Sequence, residues 1–332
     1  MPRHFLSLAD WPAEELWELI ETAQALKREL QTRGRNLPAL RGKTLALAFQ
    51  KPSLRTRVSF EIGMRQLGGR ALYLGPEEIG LGKREAAGDV ARVLGGYVQG
   101  IMVRMSDHAL LAQMAQASPV PVINGMTNYS HPCQAMADAL TMYEAFGRLD
   151  GLRVTYLGDS DNDVTRSLLF AAARFGFQLR VSSPPGYTLD AESIAAARAE
   201  GSDEVFEFVE DPVEAVREAD VIYTDTWIGM DVTTEARARQ IFGRYQVNEA
   251  LVARAPAHAI VMHCLPANRG QEITDAVADG PRSRVFQQAG NRRAAAGPVS
   301  TRRALVAYVS SLRNLPQVTN LREVTQRRNI CD

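Results

Sequence analysis

Short apolar runs alternating with amphipathic helical stretches restrict the fold of this chain more than any single motif. The runs Thr44–Phe49 (TLALAF), 70–73, Gly100–Arg104 and 120–124 are each followed by a segment with helical spacing. After the helical stretch 133–146 the pattern restarts, with 151–157 (GLRVTYL), Gln178–Ser182, Val221–Thr224 and 259–263 as apolar strands. Strands separated by helices pair in parallel, because only a crossover can bring the chain back to the same edge. The fold class is α/β: two parallel-sheet α/β domains, the second Rossmann-like, with an interdomain cleft as the expected site. GRLDGL at 147–152 ends a helix and precedes a strand, so the boundary falls there and divides 1–147 from 148–315. The length of 332 residues also exceeds one ordinary domain. The polar, arginine-rich tail 316–332 reads as a surface extension.

Charge excludes some partners. The chain carries 38 basic and 38 acidic residues for a formal net charge of zero, so bulk attraction to nucleic acid or an anionic membrane is not expected. Cys133, Cys264 and Cys331 lie far apart without CxxC spacing, which argues against a disulfide framework or a zinc site and fits a reducing cytoplasm. MPRHFLSLADW lacks the apolar centre of a signal peptide, and no apolar run reaches the ~20 residues of a membrane span.

FQKPSLRTRVSF, residues 49–60, lies where a buried strand feeds a helix of about 53–67 that Gly68 and Gly69 stop. Helix starts attract anions through free N–H groups and the positive dipole end. Ser53 and Thr56 add hydroxyl donors, and Arg55 adds a planar fork suited to phosphate. A serine cap with solvated arginines is the plain alternative, and for SxRxR alone the simpler one. Gly82-Lys83 lacks the flanking residues of a P-loop, which favours a small phosphorylated metabolite over a nucleotide. In NGMTNYSHPCQAMADALTM, His131 and Gln134 sit together at the turn opening a long helix. Arg104 ends GIMVR, at a strand end where α/β sheets face their ligands.

Together these segments resemble the aspartate and ornithine carbamoyltransferases over nearly the whole chain. The most specific pieces are PSLRTRVSFE with LGG, HPCQAMADALT, DTWIGM and MHCLPANRG, in the family's order. HCLP at 263–266, GDSDNDVTRSLL, PPGY and GRYQVN resemble the ornithine branch; the aspartate branch carries HPLPR instead. The resemblance implies that Ser53, Arg55, Thr56 and the Leu54 amide cradle the phosphate of carbamoyl phosphate. Arg104 and His131 would bond its carbonyl oxygen. Gln134 and the carbonyls around Cys264 and Leu265 would orient its NH2 group, and Arg292 would add a second cation. Asp225, with Asn162, Asp163, Gly229 and Met230, would meet the amine acceptor, ornithine first. Cys264 would lie beside the reacting amine rather than act as a nucleophile. Neither metal nor organic cofactor is implied. The family also implies homotrimers in which a loop, here 76–85, enters the neighbouring site, and a last helix that returns to the first domain.

Some positions depart from the ornithine pattern. Gly229 replaces a serine, Asp231 a glycine and Asp163 an asparagine, the last placing a carboxylate where an amide would meet the amino acid's own carboxylate. Arg166 or Arg293 could neutralise it. Gly80 stands for Gln or His and Gly290 for Glu, while Gly297-Pro298 is expected to interrupt the final helix. Acceptor identity therefore stays open between ornithine and another amine, such as an N-acylornithine, a diamine or a shorter diamino acid. A silent homologue that only binds carbamoyl phosphate is the contrasting possibility.

Overall fold

The structure, a computed structural model, describes residues 2–81, 84–227 and 234–299. Nine strands among the described residues fall into two sheets, all of whose pairings are parallel. The first sheet has β1 (Thr44–Phe49), β2 (Arg70–Leu74), β3 (Gly100–Arg104) and β4 (Val122–Met126) in the order β2-β1-β3-β4. The second has β5 (Arg153–Leu157), β6 (Gln178–Ser182), β7 (Phe206–Phe208), β8 (Val221–Thr224) and β9 (Ile260–His263) in the order β7-β6-β5-β8-β9. Strands β3, β8 and β9 are buried almost throughout, which explains their unbroken apolar runs.

Several strand starts differ from the sequence expectation for local reasons. β4 begins at Val122, not at 120, because Pro121 offers no N–H and Ser118 Oγ turns the chain by bonding both polar groups of Val120. β5 begins at Arg153 because a turn from Leu149 to Leu152, with Gly151 at φ 67°, precedes it. β7, only three residues long, gave no sequence signal. Gly297 and Pro298 do not interrupt the last helix, which runs as Val285–Val299.

That last helix packs on the Pro132–Phe146, Leu54–Gln66 and Ala13–Arg33 helices of the first half. Asn291 donates to Thr141 Oγ1 at 3.0 Å, and Lys27 ties Asn291 to Glu144. Parallel sheets place every strand's C-terminal end at one edge, where ligands of such sheets bind. Arg104, Asp225, His263 and Cys264 lie at or just beyond such ends, and Ser53, His131 and Asn162 lie in the turns that follow β1, β4 and β5.

Candidate active site

Ser53 caps the Leu54–Gln66 helix, its Oγ accepting from the Thr56 amide at 3.4 Å. Thr56 is fully buried, and its Oγ1 receives Arg104 Nη1 at 3.2 Å and Arg292 Nη2 at 2.9 Å. Two guanidiniums fill its two acceptor lone pairs, and the same hydroxyl shares a 3.1 Å hydrogen bond with Ser53 Oγ. One threonine thus draws together arginines from β3 and from the last helix. Leu54 is exposed and presents its amide at the free end of the helix, beside Arg55. Burial holds Arg104 down to about 10 and lowers Arg292, and the arginines depress one another further. At about 10, Arg104 still stays charged at neutral pH. Arg55 and Arg292 each keep a buried Nε without a partner, and among the described residues none of the three arginines forms an ion pair. Clustered cations with spare donors are the equipment of an anion site.

His131 precedes Pro132 at the start of the Pro132–Phe146 helix, where its backbone N–H donates to Ser167 Oγ at 2.8 Å. Its ring is buried, and burial with Arg292, Arg104 and Arg55 holds the imidazole well below its usual pKa. A neutral ring can offer one N–H to a carbonyl oxygen. Its Nδ1 is buried without a partner. Gln134, one turn on, donates to Asp138 and leaves its Oε1 without a partner.

The second half closes on this cluster through the turn after β9. Leu265 stands at φ 61°, its N–H donating to His263 Nδ1 at 2.8 Å while its carbonyl accepts from Arg55 Nη2 at 2.7 Å. Cys264 Sγ donates to Asp225 Oδ1 at 3.0 Å. Burial and Asp225 push that thiol well above its ordinary range, so it stays protonated and is no nucleophile. Asp225, Cys264 and His263 lie close enough to suggest a metal centre, but their atoms are engaged with one another and with neighbours. His263 uses Nδ1 on Leu265 and faces Glu272 Oε1 with Nε2 at 3.1 Å, so this donor set does not fit an ion.

On the acceptor side the expected residues separate. Asn162 caps the Asp163–Phe175 helix, its Oδ1 taking the Thr165 amide and its Nδ2 reaching Tyr156 Oη and the Asp159 carbonyl. That amide is spent on its own turn. Asp163 keeps Oδ2 without a partner, and burial, reinforced by Asp225, raises its carboxyl to about 7 while Arg104 pulls it down. Arg166 is held by Asp190 at 3.1 Å and Asp161 at 3.2 Å, and it lowers Asp163 less than Arg104 does. Arg293 lines a different pocket, with Leu26 and Gln66. Gly158, at φ 111°, lets the turn after β5 pass Trp227, whose Nε1 would lie 2.5 Å from any Cβ there. Gly229, Met230 and Asp231 lie outside the described residues, as does the tail 316–332. Gly80 ends the short Pro76–Ile79 helix in the left-handed region; Gly290 has open space around it.

Sequence reading missed Asp138, Ser167, Tyr223, Gln288 and the His263–Glu272 pair. Asp138 had a local signal, its i+4 spacing from Gln134 on one helix; His263 and Glu272 meet across the turn after β9, and Ser167, Tyr223 and Gln288 meet the site through long-range packing.

Comparison with known proteins places the chain in a family. The profile of the aspartate/ornithine carbamoyltransferase carbamoyl-P binding domain matches residues 3–144, and that of the Asp/Orn binding domain matches 150–305. The chain is 47% identical over 293 residues to an ornithine carbamoyltransferase of Anoxybacillus flavithermus, covering 87% of this chain and 93% of that protein. An anabolic ornithine carbamoyltransferase of Pyrococcus furiosus is 47% identical over 87% of this chain and 92% of its own length. The solved structure of the ornithine carbamoyltransferase from Pyrococcus furiosus superposes with a TM-score of 0.86 at 45% identity, covering 92% of this chain and 96% of that one. The Thermus thermophilus structure gives 0.80 at 38% identity, covering 90% and 99%. With both halves of its cleft matched, the chain belongs to the aspartate/ornithine carbamoyltransferase family.

Proposed function

We propose that the protein moves the carbamoyl group of carbamoyl phosphate to the side-chain amine of L-ornithine, giving citrulline and phosphate. One observation carries this reading: Arg104 and Arg292 meet on the Thr56 hydroxyl at a helix start, without ion-pair partners among the described residues. Such a cluster has the charge and donor geometry for a phosphate dianion. Ser53, the Leu54 amide, Arg55 and Thr56 hold the phosphate, while Arg104 and neutral His131 face the carbonyl oxygen. The neutral amine attacks the carbonyl carbon, a C–N bond forms, and negative charge grows on oxygen where those donors wait. The C–O bond to phosphate then breaks, phosphate leaves with the electron pair, and the proton shed by the amine ends on the departing phosphate. Asp225 and Cys264 lie where the incoming amine would sit, with Asp225 able to hold an ammonium. No resident metal or organic cofactor enters this route.

A place in arginine biosynthesis fits the anabolic role of the Pyrococcus furiosus relative. We further propose a cytoplasmic homotrimer, on family resemblance, the cysteine usage and the loop 76–85. No helix of the described residues is long and apolar enough to cross a membrane. Sizing chromatography should give three times the chain mass; a fully active monomer refutes shared sites. A second reading, favoured by the unpartnered Oδ2 of Asp163, keeps the chemistry but takes an amine without a free carboxylate, such as a diamine. Colorimetric detection of ureido product with ornithine, N-acylornithine, shorter diamino acids and diamines separates the two readings. Absence of product with every amine, despite carbamoyl phosphate binding, would leave a silent homologue.

A further inference from the structure

Behind the cleft lies a buried acid that the proposed reaction does not use. Asp138 sits one turn after Gln134 and is 0% exposed. Its Oδ1 accepts from Gln134 Nε2 at 2.8 Å and from Gln288 Nε2 of the last helix. Its Oδ2 accepts from the Tyr223 hydroxyl, on β8, at 3.3 Å, and Gln288 Nε2 also reaches that hydroxyl at 3.1 Å. A carboxylate only accepts, so it decides which end of a neighbouring amide faces it. Gln134 must turn its NH2 toward Asp138, which leaves its carbonyl Oε1 buried and unpartnered on the other side. An orphaned acceptor of this kind is costly unless a ligand donor meets it. The carbamoyl end of carbamoyl phosphate carries such a donor, its NH2 group.

Resting on the carbamoyl-transfer reading, we propose that Asp138 is a positioning residue that locks the Gln134 amide, so that Oε1 faces the carbamoyl NH2. Donors with a methyl group in that place, such as acetyl phosphate, are rejected because they leave Oε1 unsatisfied. Burial raises Asp138 to about 7, with Gln134, Gln288, Tyr223 and Arg292 holding it down, so it is ionised at alkaline pH.

Steady-state kinetics at alkaline pH test this with D138N, the double variant D138N/Q134E, and Q288M. In D138N the new amide can donate as well as accept, Gln134 is free to flip, and the carbamoyl phosphate KM should rise about tenfold. Competitive inhibition by inorganic phosphate, which has no carbamoyl end, should stay within about twofold of wild type. In D138N/Q134E the new amide's NH2 donates to the introduced carboxylate, which accepts at both oxygens and so cannot flip to a wrong end, and the KM should recover toward wild type. Q288M removes another partner of Asp138 without touching Gln134, so it should lower Tm and leave the carbamoyl phosphate KM unchanged. A rise of KM and phosphate inhibition constant together in D138N overturns the proposal. So does a KM rise in Q288M, or a double variant no better than D138N. If D138N does not fold, the double variant and Q288M still decide. Wild-type protein that forms no ureido product from any amine overturns the reading beneath the proposal instead, which keeps the two failures distinct.

Discussion

The donor half of the cleft keeps spare hydrogen-bond donors, whereas the acceptor half keeps a spare carboxylate oxygen. Around Thr56, three guanidiniums and a helix start stand ready for an anion, and Arg55 and Arg292 retain unpartnered Nε groups. Across the cleft, Asn162 has spent its amide on its own helix cap, and Asp163 presents Oδ2 with no partner. The first half requires one ligand charge and has one geometry for it. The second half presents an acid whose Oδ2 is unpartnered, so its ligand preference is the part of the site that its charge decides.

The largest expected effect lies on the donor side. Arg55 is half-buried and, among the described residues, its one side-chain hydrogen bond is to the Leu265 carbonyl, so Arg55→Ala should leave Tm nearly unchanged. Loss of a transition-state donor of this kind costs about 100- to 1,000-fold in kcat. Turnover within about tenfold of wild type would sink the phosphate-cradle assignment and remove the contrast between the two halves.

How much of this was legible in the sequence follows from how local each feature is. Ser53, Arg55 and Thr56 occupy a single helix start, and HPCQ occupies another, so motif and geometry coincide there. Arg104 could be placed because an apolar run ends on it and parallel strands end at the ligand edge. Asn162 was misleading for the converse reason: its amide satisfies the backbone of its own turn, a use that residue identity cannot distinguish from ligand binding. Arg166 offered a neutralising charge in sequence, but Asp190 and Asp161, one of them 24 residues away, hold it in the fold. Pro298 suggested a break, yet the helix reaches Val299. Gln288 and Tyr223, 65 residues apart, meet only through packing between the two halves.

Next in size is the acceptor charge. An ionised Asp163 close to the carboxylate of ornithine opposes it by an amount on the order of 1 kcal/mol at ~4 Å with partial solvent screening. Asp163→Asn should therefore lower the ornithine KM by about fivefold. Wild-type saturation at micromolar ornithine, with a poorer variant, would mean that Asp163 points away from the substrate.

Stability reports on the same carboxyl without any substrate. Between the ordinary Asp pKa of ~3.9 and about 7, the native state binds this proton more tightly than the unfolded chain does. Native stability is then lost as pH rises through that window and not regained above it. Asp163→Asn removes the loss, so the variant's advantage in Tm should open as pH rises across the window and level off above it. Asp138 titrates in the same range but is present in both proteins, so the difference isolates Asp163. A gap independent of pH would show that Asp163 is ionised throughout.

The smallest effect tests whether the departures outside the cleft matter to acceptor choice at all. Gly290 lies within the Val285–Val299 helix, exposed, and a Cβ there would meet nothing within 4 Å. Glycine inside a helix costs about 0.5–1 kcal/mol relative to alanine, because the unfolded chain has more freedom to lose. Gly290→Ala should thus raise Tm by about 1 °C in a protein of this size. Carbamoyl phosphate and ornithine KM should both stay unchanged, because the nearest site group on that helix, Arg292, points at Thr56 through its own hydrogen bond. A thermal gain without kinetic change would confine acceptor choice to Asp163 and its neighbours in the cleft. A change in ornithine KM alone would bring the last helix into acceptor recognition and move the divide between the two halves of the cleft.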